Sequence, residues 1–296
     1  MEYGAHLPLI DFGTSPSLRG LKDYARAASG LGYRYLCAND HLYFARPWLD
    51  GPIALAAVIE ESADLALATS ISLPVIRGPV PLAKTLAALD VLSDGRVIAG
   101  VGPGSSPADY QAVGIPFDER RSRFEEALQT LCTLLEGSDL EPRPVQTPRP
   151  PIWVASWGSP SGLRLVAHHG DGWLASAYNT TPELFGRGLE RVSNELQIAG
   201  RPTESFANAI ATAWLFVTED MQRADRVLTD VLAPTLRRPV DALRALSLPI
   251  GPAELCAERV SDFARAGAQR IFLWPLDDAL EQLELFRERV APLVDA

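Results

Sequence analysis

Asp40 and His41 are the adjacent residues in this sequence best suited to proton transfer. They come just after Arg34–Ala38, an apolar run with the composition of a buried strand. An imidazole titrates near neutral pH, so His41 can hydrogen-bond a substrate or cofactor, or transfer a proton, with Asp40 orienting its ring. The alternative is structural: Asp40 caps a short helix and His41 fills space. We treat both as candidate catalytic residues.

Two segments rich in glycine and serine follow later apolar runs and have the composition of phosphate-binding loops. Backbone N–H groups, hydroxyls and a helix start can bind an anion without a basic side chain. Each segment alone can also be a tight turn that needs glycine. Together they predict a cofactor-binding region, whose candidate residues are Gly102, Gly104, Ser105, Ser106, Ser156, Trp157, Gly158 and Ser159.

Several aromatic side chains near predicted strand ends can line an apolar slot for a planar ring, although buried aromatics more often pack in a core. They are Trp48, Trp153, Trp157 and Trp173. We take Trp48, Trp157 and Arg77 as candidate pocket residues. His6 lies inside the first predicted strand and points either into a barrel or out towards a helix, so its role stays open.

Composition and missing motifs exclude other classes of protein. The chain has 27 Lys and Arg against 37 Asp and Glu, a net charge of −10, which argues against nucleic-acid binding. Its three cysteines are far apart, so neither a disulfide framework nor a metal site is expected. No apolar run approaches the roughly 20 residues of a membrane span. The sequence lacks GxSxG, HExxH and Walker motifs. We expect a cytoplasmic protein that acts on a small molecule.

These candidate residues need a scaffold, and the alternation of β-rich runs with amphipathic segments predicts parallel βα units. The strand candidates are Tyr3–Ile10, Arg34–Ala38, Ser70–Pro74, Val97–Val101, Ile152–Ser156, Gly172–Ala175, Phe206–Val217 and Arg270–Trp274. Eight units of about 37 residues each fit a (β/α)8 barrel, in which the active site lies at the carboxyl ends of the strands.

A doubly wound sheet is the alternative architecture, but it needs a glycine fingerprint in the first βα turn. The corresponding residues, Asp11–Pro16, contain no GxGxxG. Between Thr218 and Ala268 the helical pattern exceeds one barrel helix, which predicts a helical insertion after strand 7. We therefore predict an α/β protein, a TIM barrel formed by a single domain over residues 1–296.

Several stretches, in order along nearly the whole chain, resemble the bacterial luciferase-like monooxygenase superfamily of flavin- and deazaflavin-dependent oxidoreductases. They are Tyr35–Leu42, Thr69–Leu73, Pro79–Val91, Leu92–Gly104, Gly114–Leu128, Pro150–Ala155, Gly170–Leu174 and Gly251–Phe272. The resemblance implies a (β/α)8 barrel with a flavin-type ring in its mouth and the cofactor phosphate on the loops after strands 4 and 5. It also implies a non-prolyl cis peptide at Ser70-Ile71, behind the ring, and a homodimer.

The resemblance favours one cofactor over the other. Asp40-His41 is similar to the pair found in members that use the deazaflavin coenzyme F420, whereas the luciferases themselves tend to have a glutamate-histidine-histidine run. Sugar-phosphate dehydrogenases of the F420 branch have a glutamate and a tryptophan where this chain has Ser105 and Ala45, so glucose-6-phosphate is not the expected substrate. We predict hydride transfer between F420 and a small organic molecule. The alternatives are an FMN-dependent monooxygenase and a barrel that binds flavin without turnover.

Overall fold

Parallel strands alternate with helices throughout residues 1–294, the part of the chain that the computed structural model describes. The strands are β1 (Glu2–His6), β2 (Tyr35–Ala38), β3 (Ala66–Thr69), β4 (Val97–Val101), β5 (Ile152–Ala155), β6 (Gly172–Ser176), β7 (Ala207–Val217), β8 (Ile250–Gly251) and β9 (Arg270–Pro275).

Helices cover the outside of the strands and occupy the connections. They are α1 (Leu18–Gly30), α2 (Gly51–Ala57), α3 (Pro74–Arg77), α4 (Pro79–Leu92), α5 (Pro107–Ala112), α6 (Arg120–Glu136), α7 (Pro160–His169), α8 (Pro182–Ile198), α9 (Met221–Arg226), α10 (Ala233–Leu236), α11 (Val240–Arg244), α12 (Ala253–Arg265), α13 (Ala279–Leu285) and α14 (Ala291–Val294). A 3-10 turn, Phe117–Glu119, precedes α6, and π-helical turns occupy Val227–Leu232 and Phe286–Val290.

Eight of the strands close into a parallel barrel. The hydrogen-bonded order is β6-β5-β4-β3-β2-β1-β9-β7, and pairing of β6 with β7 completes the ring. The two-residue β8 pairs only with the carboxyl end of β7, through Phe216 and Val217. The structure thus confirms the predicted (β/α)8 barrel and the helical insertion after strand 7, which contains α9 to α11.

One predicted strand was wrong and another too long. The third strand is Ala66–Thr69 and not Ser70–Pro74. Beyond it the Ser70-Ile71 peptide is cis, and Ser72 keeps only an isolated bridge to Val101. Pro74 begins α3 instead. The first strand ends at His6, and Ile10 forms only an isolated antiparallel bridge to Trp48. The strand Val97–Val101 has the predicted limits.

The barrel interior has its own small core near the amino ends of the strands. Its buried members are Tyr35, Cys37, Ala68, Ile98, Trp153, Leu174, Ala209, Ala211 and Phe272. The Trp153 and Phe272 rings stack with centroids 6.2 Å apart. Below them, Tyr35 donates to Glu2 at 2.7 Å, and Arg270 donates to the Tyr35 hydroxyl at 2.6 Å. These contacts close the amino end of the barrel.

Candidate active site

A cavity of about 510 Å³ lies at the opposite end, among the segments that follow β2 to β6 and against Ala211 and Thr212 of β7. This size is within the range of roughly 300–1,000 Å³ common for small-molecule sites. Most of the residues singled out from the sequence line it: Asp40, His41, Ser70, Ile71, Gly104, Ser105, Ser156, Trp157 and Ser159. The fold therefore brings residues separated by more than a hundred positions to one cavity.

His41 is held by a carboxylate that the sequence analysis missed. Its Nδ1 lies 2.8 Å from Oδ2 of Asp109, whose side chain is only 1% exposed. A carboxylate accepts, so Nδ1 carries the proton of the neutral ring. Oδ1 of Asp109 accepts from the Tyr43 backbone N–H at 2.7 Å. Nε2 of His41 is therefore the imidazole atom available to a molecule in the cavity.

Asp109 is positioned by the first turn of α5. Ser106 caps this helix, and its Oγ accepts from the backbone N–H of Asp109 at 3.3 Å. The Ser106 hydroxyl thus helps to fix the residue that holds His41, and Ser106 is absent from the cavity wall. The short helix explains why a residue 68 positions from His41 reaches its ring.

Asp40 does not orient His41, which corrects the expectation from the sequence. Both oxygens of Asp40 accept from Arg77, from Nε at 2.5 Å and from Nη2 at 2.7 Å. Arg77 also donates to Asp50, the residue that caps α2. Hydrogen bonding to Asp40 raises the pKa of Arg77 above its ordinary value. Arg77 is outside the cavity wall, so its contacts fix Asp40 beneath the mouth.

The end of β3 supplies the bulge expected from the resemblance. The Ser70-Ile71 peptide is cis, and both residues line the cavity. The Ser70 hydroxyl is buried and has no hydrogen-bond partner among residues 1–294. Behind the bulge, a Cβ on Gly102 would lie 2.4 Å from Ile71 Cδ1. Gly102 thus lets the strands approach closely, and the unpartnered hydroxyl of Ser70 fits a polar edge of a ring placed against it.

The start of α7 has the features of a phosphate-binding site. Ser159 caps this ten-residue helix and accepts from the Gly162 backbone N–H at 3.2 Å. Ser156 Oγ accepts from the Gly158 N–H at 3.2 Å, and a Cβ on Gly162 would lie 2.4 Å from that oxygen. Gly158 itself, with a φ of +90°, shapes the turn and is absent from the wall. Hydroxyls and a helix N-terminus together suit an anionic group.

Three arginines of the cavity wall were not foreseen from the sequence: Arg120, Arg121 and Arg164. Arg120 donates to the backbone carbonyl of Phe117 at 2.9 Å, and its guanidinium lies 4.0 Å from the centroid of that ring. The sequence signal was the run Arg120-Arg121-Ser122-Arg123 in an acidic chain. The cavity thus carries positive charge at its outer edge.

The tryptophans do not form one slot. Trp157 lines the cavity, whereas Trp153 and Trp173 are buried in the barrel and helix packing. Trp48 is absent from the wall but lies against His41, with ring centroids 4.8 Å apart and an edge-on angle. Of the four, Trp48 and Trp157 are therefore the ones near the candidate chemistry.

A second aromatic group fills the β1-β9-β7 side of the mouth. His6 stacks on Trp274 at 3.5 Å, and Trp214 stacks on Trp274 at 4.2 Å. Because β9 lies between β1 and β7 and these residues share one level, the three side chains form a row inside the barrel. Burial lowers the pKa of His6 to about 3, so its ring is neutral.

The insertion after β7 contacts loops on two sides of the mouth. Arg238 donates to the Tyr178 carbonyl at 2.6 Å and also to Asn179 in the loop after β6. On the other side, Arg46 donates to the Thr235 hydroxyl at 3.2 Å. Tyr178 lines the cavity, so the insertion contacts one residue of the cavity wall.

No helix within residues 1–294 is both long and apolar enough to span a membrane. The same residues contain no group of three or more histidine, cysteine or acidic side chains arranged to hold a metal ion.

Comparison with known proteins agrees with this geometry. Residues 5–270 match the family model described as luciferase-like monooxygenase. An F420-dependent hydroxymycolic acid dehydrogenase from Mycobacterium tuberculosis is 26% identical in an alignment of 303 positions, gaps included, that covers 91% of this chain and 82% of that protein.

Two solved structures share the fold at low sequence identity. An F420-dependent secondary alcohol dehydrogenase, in complex with an F420-acetone adduct, superposes with a TM-score of 0.81 at 19% identity and covers 99% of this chain and 98% of its own. The oxygenating constituent of 3,6-diketocamphane monooxygenase from Pseudomonas putida, in complex with FMN, gives 0.77 at 18% identity, with 99% and 98% covered.

The match to the family model and the named relatives define an oxidoreductase of a class that uses a flavin or a deazaflavin. Because the family model matches most of the chain, this protein belongs to the luciferase-like monooxygenase family, which has both F420-dependent and FMN-dependent members.

Proposed function

We propose that this enzyme uses coenzyme F420 to transfer a hydride to or from a small organic substrate, with His41 exchanging the accompanying proton. The observation that carries the proposal is the contact between His41 and buried Asp109, in the cavity that also contains the Ser70-Ile71 bulge. It supplies an oriented proton-transfer group beside the position expected for a ring.

The residues that would hold the cofactor form two groups. Ser70 and Ile71 would lie behind the ring, and the Ser70 hydroxyl would gain the hydrogen bond that it lacks within the described chain. Ser156, Ser159 and the first turn of α7 would bind the phosphate. Gly104 and Ser105, after β4, complete the wall on the neighbouring strand.

His41 would act through Nε2. With Nδ1 hydrogen-bonded to Asp109, the neutral ring presents an acceptor at Nε2, which takes a proton from a substrate hydroxyl as the hydride leaves its carbon. In the opposite direction the imidazolium returns this proton, and Asp109 stabilises the positive ring. Asp109 is thus a positioning residue, while Asp40, bound to Arg77, supports the loop.

The choice of cofactor determines the reaction class. A bound deazaflavin supplies hydride transfer, whereas reduced FMN also reacts with oxygen. The Asp40-His41 pattern and the F420-dependent mycobacterial relative support F420. The FMN-complexed structure of the same fold supports an FMN-dependent monooxygenase as the alternative. A flavin-binding barrel without turnover is the alternative of another class, and the oriented His41 argues against it.

A cofactor titration separates the three functions. The purified protein is mixed with oxidised F420 or oxidised FMN, and ring fluorescence is followed as a measure of binding. Turnover is then tested with each reduced cofactor, with and without oxygen. F420 binding with oxygen-independent turnover supports the proposal. Tight FMN binding with oxygen consumption would establish the alternative, binding without any turnover would indicate a non-catalytic barrel, and binding of neither would remove the cofactor assignment.

A homodimer and a cytoplasmic location also remain predictions. Measurement of the molecular size in solution tests the first, and cell fractionation tests the second.

A further inference from the structure

Arg120, Arg121 and Arg164 stand out because they lack acidic partners in a chain rich in acid. The net charge is −10, and most arginines with a role in the fold bind a carboxylate, as Arg77, Arg149 and Arg244 do. Within the described chain, no ion pair joins any of the three cavity arginines to a carboxylate. Arg121 and Arg164 are also exposed to solvent at the cavity edge.

The helix that carries Arg120 and Arg121 gives no structural reason for two positive charges at these positions. Arg120 and Arg121 are the first two residues of α6. The N-terminal end of a helix carries partial positive charge, which favours Asp or Glu, and Asp118 and Glu119 of the preceding 3-10 turn already meet that preference. Glu119 forms an ion pair with Arg123 at 2.6 Å, so it is not paired with Arg120 or Arg121. An anionic ligand would supply the counter-charge that these two arginines lack.

The carboxylates that face the same cavity are too few to neutralise it. Asp40 and Glu125 are the acidic residues of the described wall, and Asp40 is already bound to Arg77. Three guanidinium groups therefore face Glu125 alone. A phosphodiester carries a single negative charge, and the serines and helix start at α7 already suit it. The remaining positive charge calls for further anionic groups on the ligand.

We propose that Arg120, Arg121 and Arg164 form a site for the oligocarboxylate tail of the deazaflavin cofactor. This inference rests on the proposed function. F420 continues beyond its phosphate into a chain of glutamate residues, whereas FMN ends at its phosphate. Arginine suits this tail because its planar guanidinium donates to carboxylates in pairs. The arginine site on α6 and α7 thus selects the cofactor by charge, apart from the ring.

The test compares binding of tailed and tailless cofactor, read by fluorescence quenching, so it does not depend on activity. The probes are F420 with several glutamates, the same deazaflavin with none, and FMN. We expect the double variant Arg121→Gln/Arg164→Gln to lose at least tenfold in affinity for tailed F420 and less than twofold for the tailless form. Salt should weaken the tailed complex of the wild type more steeply than that of the variant.

Arg123→Gln is the matched control. This residue is on the same helix, one turn from Arg120, but it binds Glu119 and is absent from the cavity wall. It should leave all three affinities unchanged. An equal loss with Arg123→Gln would mean that general charge and not the site is responsible, and would overturn the proposal.

The remaining outcomes separate this proposal from the proposed function. If the wild type binds tailed and tailless deazaflavin equally well, only the tail site is wrong. If the double variant loses the tailless form as strongly as the tailed one, the arginines bind the phosphate and the tail site is again wrong. If no deazaflavin binds while FMN does, the proposed function fails and the tail site fails with it.

Discussion

Both ends of the barrel contain buried aromatic and polar side chains, but in the described chain the polar atoms have partners at the amino end and several lack them at the carboxyl end. At the amino end, Tyr35, Glu2 and Arg270 bond to one another beneath stacked rings. At the carboxyl end, most of the buried polar side-chain atoms that lack a partner in residues 1–294 are found together. They are His6 Nε2, Trp48 Nε1, Ser70 Oγ, Ser72 Oγ and Trp214 Nε1, five of six such atoms.

This difference indicates which end of the barrel contributes less to the stability of the folded protein. A buried polar group without a partner costs about 1–3 kcal/mol, so an end that collects such groups is less stable than a well-packed one. The amino end is built for folding, and the carboxyl end retains polar atoms that a ligand or water can satisfy. The following changes test this contrast.

The largest effect is expected from removing an interior ring at the amino end. Trp153→Ala should lower the free energy of unfolding by about 3–5 kcal/mol, because a buried indole stacked on Phe272 leaves a cavity. Urea unfolding measures the loss. Cofactor affinity of the folded protein should stay within twofold, and a large drop in affinity would show that the two ends are not independent.

His41→Ala should affect catalysis much more than stability, the reverse of Trp153→Ala. Loss of the proton-transfer group is expected to lower kcat at least 100-fold, while cofactor affinity changes less than threefold. The free energy of unfolding should fall by about 1–3 kcal/mol, less than for Trp153→Ala, because buried Asp109 loses a hydrogen-bond partner. Steady-state kinetics and fluorescence titration give both values. Unchanged kcat would remove His41 from the mechanism.

Substitution of the two carboxylates near His41 should have different effects, on catalysis for Asp109 and on stability for Asp40. Asp109→Asn is expected to lower kcat about 10- to 100-fold, because a hydrogen bond to a charged group contributes roughly 1.5–3 kcal/mol, and to change the kcat–pH profile. Asp40→Asn removes the partner of Arg77 and should mainly lower stability. The opposite pattern would restore Asp40 as the residue that orients His41.

Acid should weaken the folded state through His6. Its pKa is about 3 in the folded protein against 6.5 in the unfolded chain, so below pH 6.5 only the unfolded chain gains the proton. The contribution of His6 to stability is complete above pH 6.5 and is lost as the pH falls towards 3, by about 2 kcal/mol at pH 5. His6→Phe should show a flatter stability curve between pH 7 and 5 than the wild type. Parallel curves would show that His6 titrates normally.

The smallest effect is expected at Ser70. Ser70→Ala removes an unpartnered buried hydroxyl, so the apoprotein should become more stable by about 1 kcal/mol, while cofactor affinity falls a few-fold. Thermal unfolding and titration measure the two. Lower stability would mean that the hydroxyl already has a partner in the folded protein.

The sequence predicted the barrel because alternation and period depend on local patterns, as the strand Val97–Val101 shows. It misplaced the third strand because a strand-like composition continues past Thr69, where pairing is reduced to one bridge between Ser72 and Val101 and the Ser70-Ile71 peptide is cis. A pattern of residue types carries no sign of that bond; only the family resemblance located it.

In the candidate site, too, some residues could be predicted from the sequence and others could not. His41 follows a strand directly, so its place at the mouth could be predicted. Asp109 could not, because it meets His41 through a short helix and a capping serine 68 residues later in the chain. The arginines at the start of α6 were visible as a run, but their lack of acidic partners depends on packing between distant helices.

The insertion after β7 gives the molecule a modular design. One continuous segment, attached by Arg238 on one side and by Thr235 on the other, contacts two loops at the mouth of the barrel, while Asp40, His41 and Asp109 come from elements earlier in the chain. A chimera that exchanges residues 218–249 between relatives would leave the described cavity wall intact, because none of the lining residues comes from that segment. It would change only the residues that border the wall.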